Sequence, residues 1–492
     1  MSTNELPKKR RADDVDAQNG HAQNDNDDDE EQEELHRQRR PKKMPNTELA
    51  ASNLWLDTVN RHMLDFDFEK LCSVSLTNLN VYACLVCGKY FQGRGPSSHA
   101  YTHSLHEDHH VFINLESLKV FILPEGYEVT DASLSDIKHV LKPTFTKQQV
   151  AELDGGQIKY AYDLNNKKYM PGFVGLNNIK ANDYVNVIVQ SFAHVKPLRD
   201  YFLLGDVPSS ASELVKRFGM LIRKMWNPKA FKGQVSPHEL LQEITNASQK
   251  KFTMAAQSDA IEFMSWFLNT LHSGLGGTRK KSSIIHEIFQ GELQIQQQIM
   301  LPPSGNGEED VTRKRFDEAR EITTTRTPFL MLALELPPAP LFTDELEKNI
   351  IPQVNLESLL RKYDGITAQD TGLAVKRFKI TKLPQYLILH IKRFTKNNFT
   401  EEKNPTIVSF PIKGVDMKEY VEGPDALGET RYDLIANICH EGGAKLGQGS
   451  YKVQVHSNNH WIMIQDLFEE QIRPEMIFLQ ESYVQIWERK RT

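Results

Sequence analysis

Cysteine is scarce: 492 residues carry four, Cys72, Cys84, Cys87 and Cys439. So few cannot staple a chain of this length, which points to a reducing compartment and to clustered cysteines as metal ligands. Long apolar runs are missing as well. No stretch approaches the roughly 18 residues that a membrane-spanning helix needs, so no membrane association is expected. The opening MSTNELPKKRR has no apolar segment of the kind that directs secretion, and secretion is not expected either. Aromatic residues are absent before Trp55, and cysteine is absent from residues 285 to 390. Net charge is small, with 59 Lys and Arg against 65 Asp and Glu. What the chain does have is length, enough for about two to four domains with cores of their own, which excludes a single small binding module.

The charge is arranged in blocks. Lys8, Lys9, Arg10 and Arg11 form one basic cluster, residues 25–34 hold eight acids, and residues 37–43 hold five bases. With so little apolar surface to offset chain entropy, residues 1–45 are expected to be a disordered charged tail. PKKRR has the composition of a nuclear-import signal, and a solvated tail is the plainer reading of the same residues. Residues 46–145 read as a small domain: VYACLVCGKYF as strand and turn, a His-rich stretch, then VFINLESLKVFILP as strand material. Residues 160–490 sustain apolar periodicity. DYVNVIVQSFAHV reads as a mostly buried helix and SDAIEFMSWFLNTLHSGL as a second helix ending at glycine. PFLMLALELP, QYLILHIKRF, YDLIANICHEGG, YKVQVHSNNHWIMIQD and SYVQIWERK read as strands of one sheet, interrupted by a polar loop at 302–327. Helices first and strands afterwards give an α+β fold.

Cys84 and Cys87 form a C-x2-C pair, and five of the seventeen histidines lie between 99 and 110. Two thiolates on a tight turn and two imidazoles from a later segment make the closed N2S2 set that structural zinc prefers. Spacing alone leaves the choice open among His99, His103, His106, His109 and His110. The stretch CLVCGKYFQGRGPSSHAYTHSLHEDHH resembles the ubiquitin-protease type zinc finger, whose pattern runs CLxCG, CGR, HAxxH and a further His. That resemblance implies one zinc on Cys84, Cys87, His103 and His109. The family's additional site would use positions occupied here by Cys72, Ser75, Gln92 and His99, so it is expected to be lost. Arg94 matches the arginine with which some members grip the free ubiquitin tail.

From about 165 to 490 the chain resembles the ubiquitin-specific proteases, which implies a papain-like fold of thumb, palm and fingers. GLNNIKANDYVNVIVQ at 175–190 stands where those proteases have GLxNLGNTCYMNSxLQ. Asp183 therefore occupies the nucleophile position, Lys180 replaces a glycine, and Asn178 matches the oxyanion-stabilising Asn. Aspartate is a good helix cap, so the replacement is expected to suit the fold while removing the sulfur. QSDAIEF, LPQYLILHIKRF and YDLIANICHEGG match further family motifs in order. GSYKVQ places Ser450 where the general base belongs, and HWIMIQD places Gln465 where the orienting carboxylate belongs, with Asp466 one position later. All three catalytic roles are thus expected to be vacant. His440, His456 and His460 read as structural histidines and Cys439 as core. The fingers, without cysteine, are expected to be zinc-free.

A single zinc finger followed by a protease fold without its triad resembles the spliceosomal, tri-snRNP-associated branch of that family. The implied role is a nuclear, non-catalytic pre-mRNA splicing factor that helps assemble or stabilise the tri-snRNP through protein contacts; direct RNA contact is unassigned. Two alternatives stand beside it: a deubiquitinase with an unconventional nucleophile, and a ubiquitin-binding adaptor.

Overall fold

In the computed structural model, which describes residues 55–156, 159–205, 207–299, 316–338, 352–396, 401–423, 428–443 and 448–490, the apolar runs of the second half lie side by side. The expected tail at 1–45 falls outside these residues. Leu332–Glu335, Tyr386–Lys392, Ser482–Arg489, Arg431–Gly442, Gly449–Ser457, His460–Gln465 and Phe468–Ile472 follow one another across an eight-stranded sheet, with the short Val415–Asp416 strand paired to Arg431–Gly442. The first two run parallel and the other pairs antiparallel.

Both faces of this palm sheet are covered, which explains why LILHI reads as a continuous apolar run rather than an alternating one. Tyr386 and Ile388 belong to the core shared with the helices Asp183–Ala193, Glu213–Met225 and Ala260–Gly274. Leu387, Leu389 and Ile391 belong to a second core, closed by the Leu356–Leu360 helix and by Val408, Phe410 and Met417. The expected strand YKVQVHSNNHWIMIQD is a hairpin. Asn458 and Asn459 both have positive φ, 48° and 63°, as a two-residue turn between paired strands demands. The expected helices form, and Asp259 caps the second by accepting from Ile261 N at 2.9 Å.

The fingers are an antiparallel sheet in the order Thr323–Phe329, Gly291–Ile299, Ala374–Lys382 and Gln369–Asp370. Here one expectation fails, because residues 323–327 belong to a strand rather than to the polar loop at 302–327. Thr323, Thr324, Thr325 and Thr327 are β-branched but exposed, so the segment pairs through its backbone without an apolar alternation to announce it. Leu293 pairs with Ile380 and Ile295 with Phe378, and Leu293, Phe329 and Phe378 pack on the second palm core.

The N-terminal domain is a five-stranded antiparallel sheet ordered Tyr90–Gln92, Val81–Cys84, Val111–Asn114, Val120–Ile122 and Tyr127–Val129, with the helix His99–Glu107 alongside. Tyr82, Phe91, Phe112, Phe121 and Leu123 fill its small core. Residues Thr58–Thr492 form one unit, so this domain is packed on the thumb. The segment 64–69 makes that junction by alternation. Leu64 and Phe66 are buried, while Asp65, Asp67 and Glu69 face thumb bases. Lys224 Nζ donates to Asp67 Oδ1 (2.9 Å) and Phe66 O (2.8 Å), Ser236 N donates to Asp67 Oδ2 (3.0 Å), Lys232 pairs with Asp65 (2.5 Å) and His238 with Glu69 (3.0 Å). No helix among the described residues is long and apolar enough to cross a membrane.

Candidate functional site

The knuckle turn after Val81–Cys84 needs its glycine. Gly88 has φ +76°, its N–H donates to Cys84 O at 2.9 Å, and a Cβ there would stand 2.1 Å from Met63 O. The turn brings Cys87 beside Cys84, while the helix His99–Glu107 and the loop after it deliver His103 and His109. The ligand atoms of these four residues all lie within 4.8 Å of one another. Cys87 Sγ is 3.4 Å from His103 Nε2, which is 3.1 Å from His109 Nδ1. Tetrahedral bonds of about 2.0 to 2.3 Å give ligand-to-ligand edges of roughly 3.3 to 3.8 Å, so the donor set fits a zinc ion with little adjustment. The mutual hydrogen bond of the two thiols pulls Cys87 ionisation down and pushes that of Cys84 up, and a cation between them would favour the thiolate of both. Phe91 stacks on His103 at 4.2 Å and holds the ring.

His99, His106 and His110 stand apart from this set. His110 bonds Leu123 O (2.7 Å) and Asp108 (2.8 Å) instead. At the positions of the family's other zinc site, Ser75 Oγ donates to Gln92 Oε1 (3.0 Å) and Ser75 N to Cys72 Sγ (3.4 Å), so hydrogen bonds bridge this loop to its strand. Arg94 lies over the Phe121 ring at 4.2 Å.

The second cluster lies between thumb and palm. Asp183 begins the helix Asp183–Ala193, but it is not the cap: Asn182 occupies that place, and Asp183 is the first helical residue. The expectation of a capping aspartate is corrected accordingly. The carboxylate points across the cleft, because the strand Gly449–Ser457 offers it a buried donor. Oδ2 accepts from Tyr451 N (3.0 Å) and Gln257 Nε2 (2.6 Å), and Oδ1 accepts from Tyr184 N (3.0 Å). Asp183 is 4% exposed, and burial raises its pKa against the pull of these donors. Gln257 also donates to Gly449 O at 3.0 Å. One side chain at the nucleophile position thereby ties three elements together.

Ser450 and Gln465 are brought together as the family alignment implies, with Gln465 Nε2 donating to Ser450 Oγ at 3.3 Å. Neither can take a proton from an attacking group at neutral pH. Asn178 is partly committed: its Nδ2 donates one hydrogen bond to Asp466 Oδ2 (3.0 Å) and its Oδ1 accepts from Asn182 N (3.0 Å), so the amide is oriented by these two partners. Asp466 sits in a two-residue hairpin turn with φ +51° and accepts also from Asn186 Nδ2 (3.0 Å). Gly175 lets that turn approach, since a Cβ there would meet Leu467 Cα at 2.6 Å. Lys180 is exposed in the loop before the helix.

The remaining nucleophile and base candidates are structural. Cys439 is fully buried, accepts a hydrogen bond from Asn437 Nδ2 (3.4 Å) and has its thiol pushed up to about 12 by burial. His440 is 1% exposed, packed against Tyr451 and Phe394, and its pKa is pushed down to about 4 by burial. His456 packs on Trp461, and His460 Nδ1 lies 3.0 Å from Gln471 Nε2. The sequence reading missed Gln257, Asn182, Asn186 and Asp466 as partners, although all stand inside motifs it had marked.

Comparison with known proteins agrees with this geometry. The pattern of the family described as ubiquitin carboxyl-terminal hydrolase matches residues 174–487, and that of the zinc finger in ubiquitin-hydrolases and other proteins matches 72–134. The Schizosaccharomyces pombe protein named probable mRNA-splicing protein ubp10 is 50% identical over 455 residues, covering 90% of this chain and 89% of the relative. The Homo sapiens protein named ubiquitin carboxyl-terminal hydrolase 39 is 52% identical over 454 residues, covering 89% and 80%. A crystal structure of an essential yeast splicing factor aligns with TM-score 0.72 at 29% identity, covering 89% of this chain and all of that one. The likeness runs through finger, thumb and palm alike, and the chain belongs to the ubiquitin carboxyl-terminal hydrolase family.

Proposed function

We propose that this chain is a non-catalytic pre-mRNA splicing factor, a nuclear scaffold that helps assemble or stabilise the spliceosomal tri-snRNP by using a protease fold as a protein-binding surface. One observation carries the non-catalytic part: at the positions that correspond to the family's triad, Asp183 accepts from Tyr451 N and Gln257 and Gln465 donates to Ser450, with no thiol and no imidazole among the three. Acyl transfer on this architecture needs a nucleophile, a base within reach of it, and a group orienting the base. The splicing part rests on the names of the relatives that share the whole arrangement.

In this reading residues 46–145 are the zinc finger and 160–490 the protease-like domain, with one structural zinc on Cys84, Cys87, His103 and His109. Zinc there cross-links the knuckle turn to the histidine helix and does no chemistry on a substrate. The test has two arms. Purified full-length protein should neither hydrolyse a fluorogenic ubiquitin substrate nor label with a ubiquitin-tail electrophile. Depleting it from nuclear extract should lower assembled tri-snRNP on a gradient, and Asp183→Asn protein should restore it. Turnover by the pure protein, or undiminished tri-snRNP after depletion, would overturn the proposal.

A further inference from the structure

We propose that a cavity at the far end of the Asp183–Ala193 helix binds a phosphate monoester group through Lys196, Lys413, His456 and His194. The cavity, of about 310 Å³, lies between the C-terminal end of that helix and the palm strands Arg431–Gly442 and Gly449–Ser457. An 11-residue helix is roughly 16 Å long, so this site is separate from the former catalytic cleft.

The polar groups that line it divide into committed and uncommitted ones. Asp154 accepts two bonds from Arg199, at 3.2 and 3.0 Å. Asp433 accepts from Gly414 N (2.7 Å) and pairs with Lys490 (3.4 Å), and Glu488 accepts from Tyr386 OH (2.7 Å). Asp154 and Asp433 are thus paired with cations, while Glu488 is bonded to a neutral hydroxyl. The cations of the rim do not match them: Lys413 has no ion-pair or hydrogen-bond partner among the described residues, and Lys196 reaches Asp154 only at 4.0 Å. His456 makes no hydrogen bond among the described residues, so its ring N–H is available as a donor.

His194 supplies the discriminating feature. Its Nδ1 lies 2.8 Å from the carbonyl oxygen of Gln190, an acceptor, so Nδ1 carries the proton and Nε2 presents a bare lone pair. The residue is 5% exposed, and Nε2 has no partner among the described residues. Burial pushes its pKa down to about 4, so the ring stays neutral and the lone pair stays an acceptor at physiological pH. A ligand that fills this site therefore needs anionic oxygens for two ammonium groups and one proton to donate inward. A phosphate monoester, with its second pKa of about 6, offers both in its monoprotonated form. Sulfate has the same shape and no proton to give. A phosphodiester lacks that proton too, so the site excludes the backbone of a nucleic acid. The volume is at the lower end of ligand sites, enough for a phosphate and a few attached atoms.

The test is isothermal titration of the full-length, zinc-loaded protein near pH 6.5 with inorganic phosphate, O-phosphoserine and sulfate at matched ionic strength. Saturable binding of phosphate or phosphoserine, with sulfate at least tenfold weaker, is expected. Tighter phosphoserine identifies a phosphorylated side chain as the source of the group, and tighter inorganic phosphate identifies the free ion. Lys413 is exposed, so Lys413→Ala should weaken binding about tenfold and leave the unliganded melting temperature unchanged. His194→Gln replaces the lone pair with an amide that also donates, and should bring phosphate and sulfate affinities together. Absence of phosphate binding, equal affinity for sulfate in the wild type, or an unaffected Lys413→Ala variant would each overturn the proposal; should His194→Gln not fold, the other two comparisons decide.

Discussion

Restoring the family's sulfur at position 183 should weaken the protein without reviving a protease. The Asp183 carboxylate holds Tyr451 N at 3.0 Å and Gln257 Nε2 at 2.6 Å, both across an element boundary, in addition to Tyr184 N in its own helix. A thiol is a poor acceptor with longer bonds, so Asp183→Cys leaves those two donors without a good partner. Hydrogen bonds to an ionised acceptor contribute about 1.5 to 3 kcal/mol each, and removing the buried charge returns part of its desolvation cost, so a net loss of about 2 to 4 kcal/mol is expected. Asp183→Asn should fall between the two. It keeps one acceptor oxygen, and its amide can donate to Gln257 Oε1, which is buried and without a partner among the described residues. The assay is denaturant unfolding of full-length wild type, Asp183→Asn and Asp183→Cys at pH 7, followed by tryptophan fluorescence, with ubiquitin-substrate hydrolysis measured on the same samples. The expected order of stability is Asp, Asn, Cys, with no turnover from any of them, because Ser450 supplies no base. A Cys variant as stable as wild type would refute the cross-link, and turnover by that variant would refute the need for a base at 450.

Other outcomes follow from the same geometry. Metal analysis of purified protein should find about one zinc per chain, and Cys84→Ser should abolish it; two equivalents would mean that the Ser75 and Gln92 loop has kept a second site. Asp67→Ala strands the Lys224 ammonium at the junction of finger and thumb, and should cost about 3 to 5 kcal/mol and open the 135–160 connection to protease; an unchanged digestion pattern would count against the junction. Stability should fall on acidification from pH 6.5 to 4, because burial holds His194, His390, His440 and His456 near 4 and the unfolded chain therefore binds more protons in that window. Each histidine contributes a slope of at most about 1.4 kcal/mol per pH unit. A melting temperature flat across this range at constant zinc content would show that these rings are not kept neutral.

Much of this fold was legible because its signals are local. The knuckle cysteines announce their cluster with histidines by spacing, and the wholly buried helix after residue 183 shows itself by its apolar run; the Asn458–Asn459 turn splits what reads as one strand. What was not legible depends on partners far away in the chain. Nothing near Asp183 reveals that Tyr451 N, 268 residues later, lies within reach, and so a cap was the natural reading of an aspartate at a helix start. Nor does anything near Asn178 reveal that Asp466, 288 residues later, accepts from its amide. The fingers strand Thr323–Phe329 has no apolar side to mark it, because its pairing is carried by backbone alone. The LDFDFEK alternation at 64–70 was present in the sequence as a period-two pattern, yet it serves a domain junction and not a sheet.

These unread features have a common physical form: polar groups at the family's catalytic positions find partners from distant parts of the chain. An active cleft keeps polar groups under-satisfied so that they can meet a substrate. Here the groups at that place meet one another: Asp183 accepts from the amides of Tyr451 and Gln257, Asp466 accepts from those of Asn178 and Asn186, and Gln465 donates its amide to the hydroxyl oxygen of Ser450. Each of these bonds engages a donor or acceptor at that place, and those of Asp183 with Tyr451 and of Asp466 with Asn178 and Asn186 also tie thumb to palm. Reversing one substitution therefore breaks a tie without reopening the site, which is why the single cysteine variant is expected to lose stability and gain nothing. Recovery of turnover would require replacing the donors and acceptors at 183, 450 and 465 together, with Asp466 and Asn178 released from each other so that an amide again faces the cleft.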